Sequence, residues 1–97
     1  MLTCDIEADA KDNRVELVGK ARHTSATELS YELELTKRAP SGTVSSRQSG
    51  DVGAVPGEAV VLSRIAVDRD RDTSYEAVLT VRDGNGEKVA CRKEASG

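Results

Sequence analysis

The stretch Thr27–Lys37, which reads T-E-L-S-Y-E-L-E-L-T-K, alternates apolar and polar side chains without interruption. The residues of one parity are Leu29, Tyr31, Leu33 and Leu35, and the other parity carries Glu28, Glu32 and Glu34. Successive side chains of a strand point to opposite faces of a sheet, whereas a helix would scatter the four apolar residues around its circumference. The segment therefore predicts a half-buried β-strand with one face against a core and an acidic face in water.

Similar patterns along the chain predict seven short strands separated by turns. We place them at Leu2–Ala10, Arg14–Arg22, Thr27–Lys37, Thr43–Gly50, Glu58–Val67, Ser74–Asp83 and Glu87–Ala95. The fourth is Ser-rich with one apolar residue, so we expect a weak edge strand followed by a loop at Asp51–Gly57. The alternation of the fifth changes parity, which predicts a β-bulge near Ser63–Arg64.

Seven such strands predict an all-β fold, a seven-stranded antiparallel immunoglobulin-like β-sandwich that spans residues 1–97 as one domain. A small closed barrel is the alternative. Tyr75 begins the sixth strand just after a turn, where immunoglobulin-like domains place the tyrosine corner. An ordinary core tyrosine that points inward explains this position equally well.

The composition argues against several classes of function. The 14 basic and 17 acidic residues are interleaved and give a net charge of −3, which offers no basic stripe for nucleic acid. The chain has no Trp, no Phe and only two Tyr, so stacking surfaces for bases or sugars are nearly absent. No apolar run approaches the length of a membrane span, and we expect neither membrane insertion nor a cofactor.

The two cysteines, Cys4 and Cys91, lie in the first and last predicted strands on the inward parity. Terminal strands can be neighbours in an immunoglobulin-like sandwich, so we predict a disulfide if the Cα atoms come within about 7 Å. Two buried free thiols are the alternative. The cysteines form no C-x-x-C motif, and the single histidine cannot complete a zinc site with them at a usual spacing.

Two other polar features offer no catalytic or metal site. His23, in a polar connection, is predicted to be a surface residue, since nothing points to the nucleophile and orienting carboxylate that a catalytic histidine needs. The run Asp68–Asp72 imitates the start of a calcium loop. Thr73 and Leu79 stand where such a loop requires Gly and Glu, so a solvated turn rich in ion pairs is expected.

Charged residues of the middle strands suggest a surface property instead. The row Glu28, Glu32 and Glu34 lies on a flat face without the cleft that paired catalytic carboxylates need, so we expect it to aid solubility. The basic residues that bracket the weak fourth strand are Lys37, Arg38, Arg47 and Arg64. If the third, fourth and fifth strands are neighbours, these four form a positive patch for an oppositely charged partner; a scattered solvated surface is the alternative.

The order of strands and turns around Leu33–Ser45, Pro56–Ala66 and Tyr75–Gly84 resembles the CsgC/CsgH family of curli-assembly inhibitors, most closely its CsgH branch. The residues that carry it are E-L-T-K-R-A-P-S-G-T-V-S from Glu34, P-G-E-A-V-V-L-S-R-I-A-V from Pro56 and S-Y-E-A-V-L-T-V-R-D-G from Ser74. The resemblance extends from Glu28 to Glu94 and implies a periplasmic, non-enzymatic domain. Such a protein would delay nucleation of the unfolded curli major subunit by transient, electrostatically guided contacts.

The resemblance also has a departure and an alternative. The CsgC branch carries a C-x-C pair where this chain has Glu28 and Ser30, so a redox role cannot be carried over. A periplasmic location would favour the disulfide and make Met1 a replacement at a mature N-terminus. The chain is expected to be a monomer. An immunoglobulin-like adhesion or structural module that binds a folded partner through a strand edge is the alternative function.

Overall fold

The computed structural model describes residues 1–68 and 72–96, which form seven β-strands. Their bounds are β1 Leu2–Lys11, β2 Arg14–His23, β3 Glu28–Ala39, β4 Gly42–Gly53, β5 Ala59–Asp68, β6 Ser74–Arg82 and β7 Lys88–Ser96. Neither of these described ranges contains a helix, and therefore none that could cross a membrane.

The strands form two antiparallel sheets, one in the order β1-β2-β5 and the other in the order β4-β3-β6-β7. The apolar faces of the two sheets pack together, and β4 and β5 end their sheets without joining them into a closed ring. The prediction of an all-β immunoglobulin-like sandwich is confirmed, and the barrel alternative is wrong.

The core lies between β3 and β6 of one sheet and β2 of the other. Leu29, Leu79 and Val81 are fully buried, and Leu33 and Leu35 are nearly so. This confirms the apolar face predicted for β3, except that Tyr31 is only half-buried. Full burial of such a side chain contributes about 1.5–3 kcal/mol, so the alternating residues of β3 and β6 supply much of the stability. Tyr75 joins the same core, as its inward orientation predicts.

The predicted bulge in β5 is confirmed, one residue earlier than expected. Gly19 of β2 lies opposite Ser63, whereas Lys20 lies opposite Val61, so Leu62 is the extra residue. Leu62 and Ser63 are both buried. The extra residue changes which parity faces the core, and this explains the broken alternation of β5.

β4 is longer than predicted, and the interpretation of residues 51–53 as loop is wrong. Its pairing with β3 continues without a shift from Ala39 opposite Gly42 to Glu28 opposite Gly53. Nearly all its side chains are exposed, so it lacks the burial pattern by which a strand is recognised in sequence. Backbone pairing with β3, and not its own side chains, holds β4 in the sheet.

The predicted disulfide joins Cys4 of β1 to Cys91 of β7, with the Cα atoms 6.1 Å apart. β1 and β7 are edge strands of different sheets, so the bond links the sheets along one side of the sandwich. The turn that resembles a calcium loop falls largely on residues 69–71, outside the described residues.

Replacing Cys4 and Cys91 by serine should lower the free energy of unfolding by about 4–5 kcal/mol, because the bond closes a loop of nearly the whole chain. Urea denaturation of the variant and of the oxidised native protein would measure the loss. An equal denaturation midpoint for both would contradict this role.

Gly19→Val should destabilise the fold by about 1–3 kcal/mol, since a Cβ at this position would lie 3.2 Å from a methyl group of the fully buried Leu79. Gly53→Val is the matched control, because no atom lies within 4 Å of a Cβ at Gly53. Thermal unfolding of both variants tests the packing. Equal decreases in melting temperature for the two variants would show that the close approach to Leu79 is unimportant.

Candidate functional site

The basic residues Lys37 and Arg38 end β3 beside the two-residue turn that leads into β4. Lys37 lies opposite Val44 and Arg38 opposite Thr43. Arg38 is exposed and Lys37 half-buried. Among residues 1–68 and 72–96, neither side chain forms an ion pair. This end of the hairpin therefore presents two positive charges without a direct ion pair in the described residues, although Asp68 lines the same groove as Lys37.

Arg47 of β4 carries acidic partners. Its Nε lies 2.9 Å from an oxygen of Glu32, and its Nη2 lies 3.1 Å from an oxygen of Glu34. Two members of the predicted acidic row thus hold the arginine on the outer face of the four-stranded sheet. The three side chains are about half exposed or more, and ion pairs in that setting contribute about 1 kcal/mol or less.

Arg64 lies apart from the other three basic residues. β5 pairs with β2 and not with β4, and Arg64 Nη1 lies 3.2 Å from an oxygen of Glu16 on the outer face of the three-stranded sheet. The third, fourth and fifth strands are therefore not consecutive neighbours, as a single patch would require. The structure groups Lys37, Arg38 and Arg47 on the β3–β4 hairpin.

A shallow groove follows the side of the sandwich where β4 and β5 end their sheets; we call this side the open seam. Its lining includes Leu35, Lys37, Val44, Ser46, Ile65 and Val67. Val44 is 65% exposed, which is unusual for a side chain on the inner parity of a sandwich strand. Further along, Ser63 Oγ donates a hydrogen bond to Gln48 Oε1 across the seam. The groove has no signal in the sequence, because its walls come from opposite sheets.

The prediction that His23 is a surface residue is wrong. It is the last residue of β2, and only 4% of its surface is exposed. Nδ1 accepts a hydrogen bond of 2.9 Å from the backbone N–H of Ser25, so the ring proton lies on Nε2. Nε2 donates to Asp83 Oδ2 at 2.9 Å. Local sequence patterns do not reveal this burial, because the partner of His23 is 60 residues away.

Asp83 connects this histidine to the β6–β7 turn. Its Oδ1 accepts hydrogen bonds from the backbone N–H groups of Asn85, at 2.9 Å, and Glu87, at 2.8 Å. The hydrogen bond from His23 and then these two backbone bonds hold the pKa of Asp83 below its ordinary value, against the opposing effect of burial. Glu87 in turn accepts the backbone N–H of Leu2 at 3.0 Å.

The geometry makes this cluster structural. His23, Asp83 and Glu87 offer ligand atoms within 4.8 Å of one another, and each of the three side chains already takes part in a hydrogen bond described above. A hydrolytic triad would need a nucleophile on the second ring nitrogen, and that nitrogen accepts the backbone amide of Ser25. The cluster joins the end of β2, the start of β1 and the β6–β7 turn.

Comparison with known proteins places this fold in a family. The sequence profile of the CsgH protein family matches residues 3–94. The chain belongs to the CsgH family. A solved CsgH from R. palustris superposes with a TM-score of 0.79 at 26% identity, over 95% of this chain and 90% of that one. Among curated proteins, none matches the chain in sequence.

The fold is shared more widely. The E. coli curli protein CsgC superposes with a TM-score of 0.83 at 12% identity, over 95% of this chain and 97% of that one. At that identity the likeness shows the fold alone. The CsgH family is associated with curli and is not a known enzyme family. Family membership and the disulfide suit a periplasmic or extracellular protein.

The stability of the protein should fall as the pH drops below about 4, through the lowered pKa of Asp83. A carboxylate with a depressed pKa in the folded state stabilises the fold above its unfolded pKa, and this contribution disappears when the folded carboxylate is protonated. Urea midpoints at pH 6 and pH 2.5 measure the difference.

Asp83→Asn should be less stable than the native protein at pH 6, and the two midpoints should converge at pH 2.5. Glu58→Gln, which removes an exposed carboxylate, is the control. An unchanged pH dependence in Asp83→Asn would exclude Asp83 as a source of acid sensitivity.

Proposed function

We propose that this protein is a periplasmic, chaperone-like inhibitor that delays amyloid nucleation of the unfolded curli major subunit. The observation that carries the proposal is membership of the CsgH family over residues 3–94. The likeness to R. palustris CsgH supports it across nearly the whole domain. The disulfide supports the periplasmic location, since disulfides persist in oxidising compartments.

The mechanism that we propose is a set of weak, electrostatically guided encounters with the unfolded subunit. Lys37 and Arg38 support it, because they are positive charges without an ion-pair partner in the described residues, beside an edge strand. Opposite charges on a client would raise the rate of encounter. Arg47 and Arg64 remain proposed contacts, since their exposed ion pairs are weak enough to exchange partners.

A second candidate function is an immunoglobulin-like module that binds a folded partner through a strand edge. The long edge strand β4 favours it, because an edge strand offers unpaired backbone groups to another chain. Such a module would form a stable complex on size exclusion. Transient inhibition of nucleation predicts no complex that survives the column.

Thioflavin-T kinetics of the curli major subunit test the proposed function. Added at a small fraction of the subunit concentration, the native protein should lengthen the lag phase, since only rare nuclei need to be intercepted. An unchanged lag phase would overturn the proposal.

The double charge reversal Lys37→Glu with Arg38→Glu should weaken inhibition, so that about tenfold more protein is needed for the same lag. The matched control is Arg82→Glu with Lys88→Glu, an exposed pair at the β6–β7 turn that changes the net charge equally. Raising the salt concentration from 0.1 M to 1 M shortens the Debye length from about 10 Å to about 3 Å, so it should also weaken inhibition by the native protein. Equal inhibition by both double variants would contradict the assignment to Lys37 and Arg38.

A further inference from the structure

β4 is a long edge strand with few of the features that usually protect such an edge; its charged residues are Arg47, which pairs with Glu32 and Glu34, and Asp51. It runs for 12 residues, G-T-V-S-S-R-Q-S-G-D-V-G, and contains neither Pro nor Lys. Its register with β3 is continuous, so no bulge turns it away from an approaching strand. A flat, regular edge of this kind is a template for another extended chain.

The register identifies which backbone groups of β4 are free to pair. Ala39 and Gly42 flank a two-residue turn and so form a hydrogen-bonded pair. From there the hydrogen bonds to β3 alternate along β4, and the bond from Ala54 N to Thr27 O, 2.8 Å long, continues the same alternation beyond the strand. The residues whose N–H and C=O groups face away from β3 are therefore Thr43, Ser45, Arg47, Ser49, Asp51 and Gly53.

The open seam provides a surface for the side chains of an added strand. A strand paired to β4 would extend the four-stranded sheet, and every second side chain would point toward β5. There it would cover Val44, which is 65% exposed, and Ile65, which is half-buried. The opposite side of the sandwich has no such opening, because β1 packs along β7 and the disulfide joins them.

We propose that the edge of β4 binds an extended segment of an unfolded chain as an additional antiparallel strand, with apolar side chains of that segment on the open seam. This inference rests on the proposed function, and the occupant is a β-forming segment of the curli subunit. Acidic side chains near the β3–β4 turn would be favoured, because Lys37 and Arg38 lie there without ion-pair partners in the described residues. Contact with β4 occupies one backbone edge of the bound segment. While it is bound, that segment cannot pair with other subunits to form a nucleus.

Such pairing would also be short-lived. The bound segment must be ordered to make its hydrogen bonds, and each of these replaces a bond to water, so the net gain is small. Half of the added strand's backbone groups remain unpaired on its far side. Encounters that form and break quickly agree with an inhibitor that acts at a small fraction of the client concentration.

The test removes one free N–H group of β4 without touching the pairs between β3 and β4. Ser49→Pro deletes an N–H that faces away from β3, and proline is tolerated at such edge positions. Ser49→Ala keeps the N–H and removes only the hydroxyl, so it is the matched control. Ser49→Lys, which adds an edge charge and keeps the N–H, is a second variant in case proline disturbs the strand.

Each variant is first compared with the native protein by thermal unfolding and then added to the curli major subunit in the Thioflavin-T assay. The increase in lag time caused by Ser49→Pro or Ser49→Lys should be several times smaller than the increase caused by the native protein. Ser49→Ala should cause the same increase as the native protein. Amide hydrogen exchange with the subunit present should slow at Ser45 and Ser49 in the native protein.

The outcomes separate this inference from the function on which it rests. If the native protein lengthens the lag and folded Ser49→Pro and Ser49→Lys do so equally, the edge pairing is overturned and the inhibitor function stands. If the native protein leaves the lag unchanged, both are overturned. Sedimentation tests a third outcome. If the native protein forms a concentration-dependent dimer and Ser49→Pro abolishes that dimer, the β4 edge binds a second copy of this chain, and the client assignment is overturned.

Discussion

The burial of the apolar face of β3 is the constraint on which the rest of the structure depends. β3 is the one strand that pairs with both β4 and β6, and Leu29, Leu33 and Leu35 place its inner face in the core. The same alternation leaves Glu32 and Glu34 on the outer face, where they hold Arg47 of β4. Because β4 adds few buried side chains of its own, its position is a consequence of how firmly β3 is fixed.

The two sides of the sandwich differ in a way that bears on function. One side is closed, since β1 packs along β7 and Cys4 is bonded to Cys91. The other is the open seam, where β4 and β5 end their sheets with a shallow groove of mixed apolar and charged lining between them. A domain whose covalent link holds one side can leave the other unprotected without loss of the fold. The basic end of the β3–β4 hairpin lies at this open seam, since Lys37 lines the groove.

The two ends of the sandwich differ as well. Hydrogen bonds from His23 to Asp83, and from Leu2 to Glu87, fasten the end at which the chain begins. Backbone N–H groups of Ser25, Asn85 and Glu87 bond the remaining imidazole nitrogen and the other oxygen of Asp83, so this polar cluster fixes the local geometry. The charged end at Lys37 and Arg38 has no comparable network in the described residues. The hydrogen-bonded cluster and the two basic residues thus lie at opposite ends of the molecule.

The sequence by itself determined the seven strands, the sandwich pattern and the bulge of β5, because the alternation of apolar and polar side chains is a local property. It predicted the Cys4–Cys91 disulfide only on the condition that the terminal strands are neighbours, and the structure meets that condition. It also pointed to a family whose profile matches. Only the tertiary structure decided that His23 is buried against Asp83, that β4 extends to Gly53, and that Arg64 lies on the opposite face from Arg47. Each of these depends on which strands become neighbours. Packing and backbone pairing between residues far apart in the chain determine which strands are neighbours, and local sequence patterns do not contain that information.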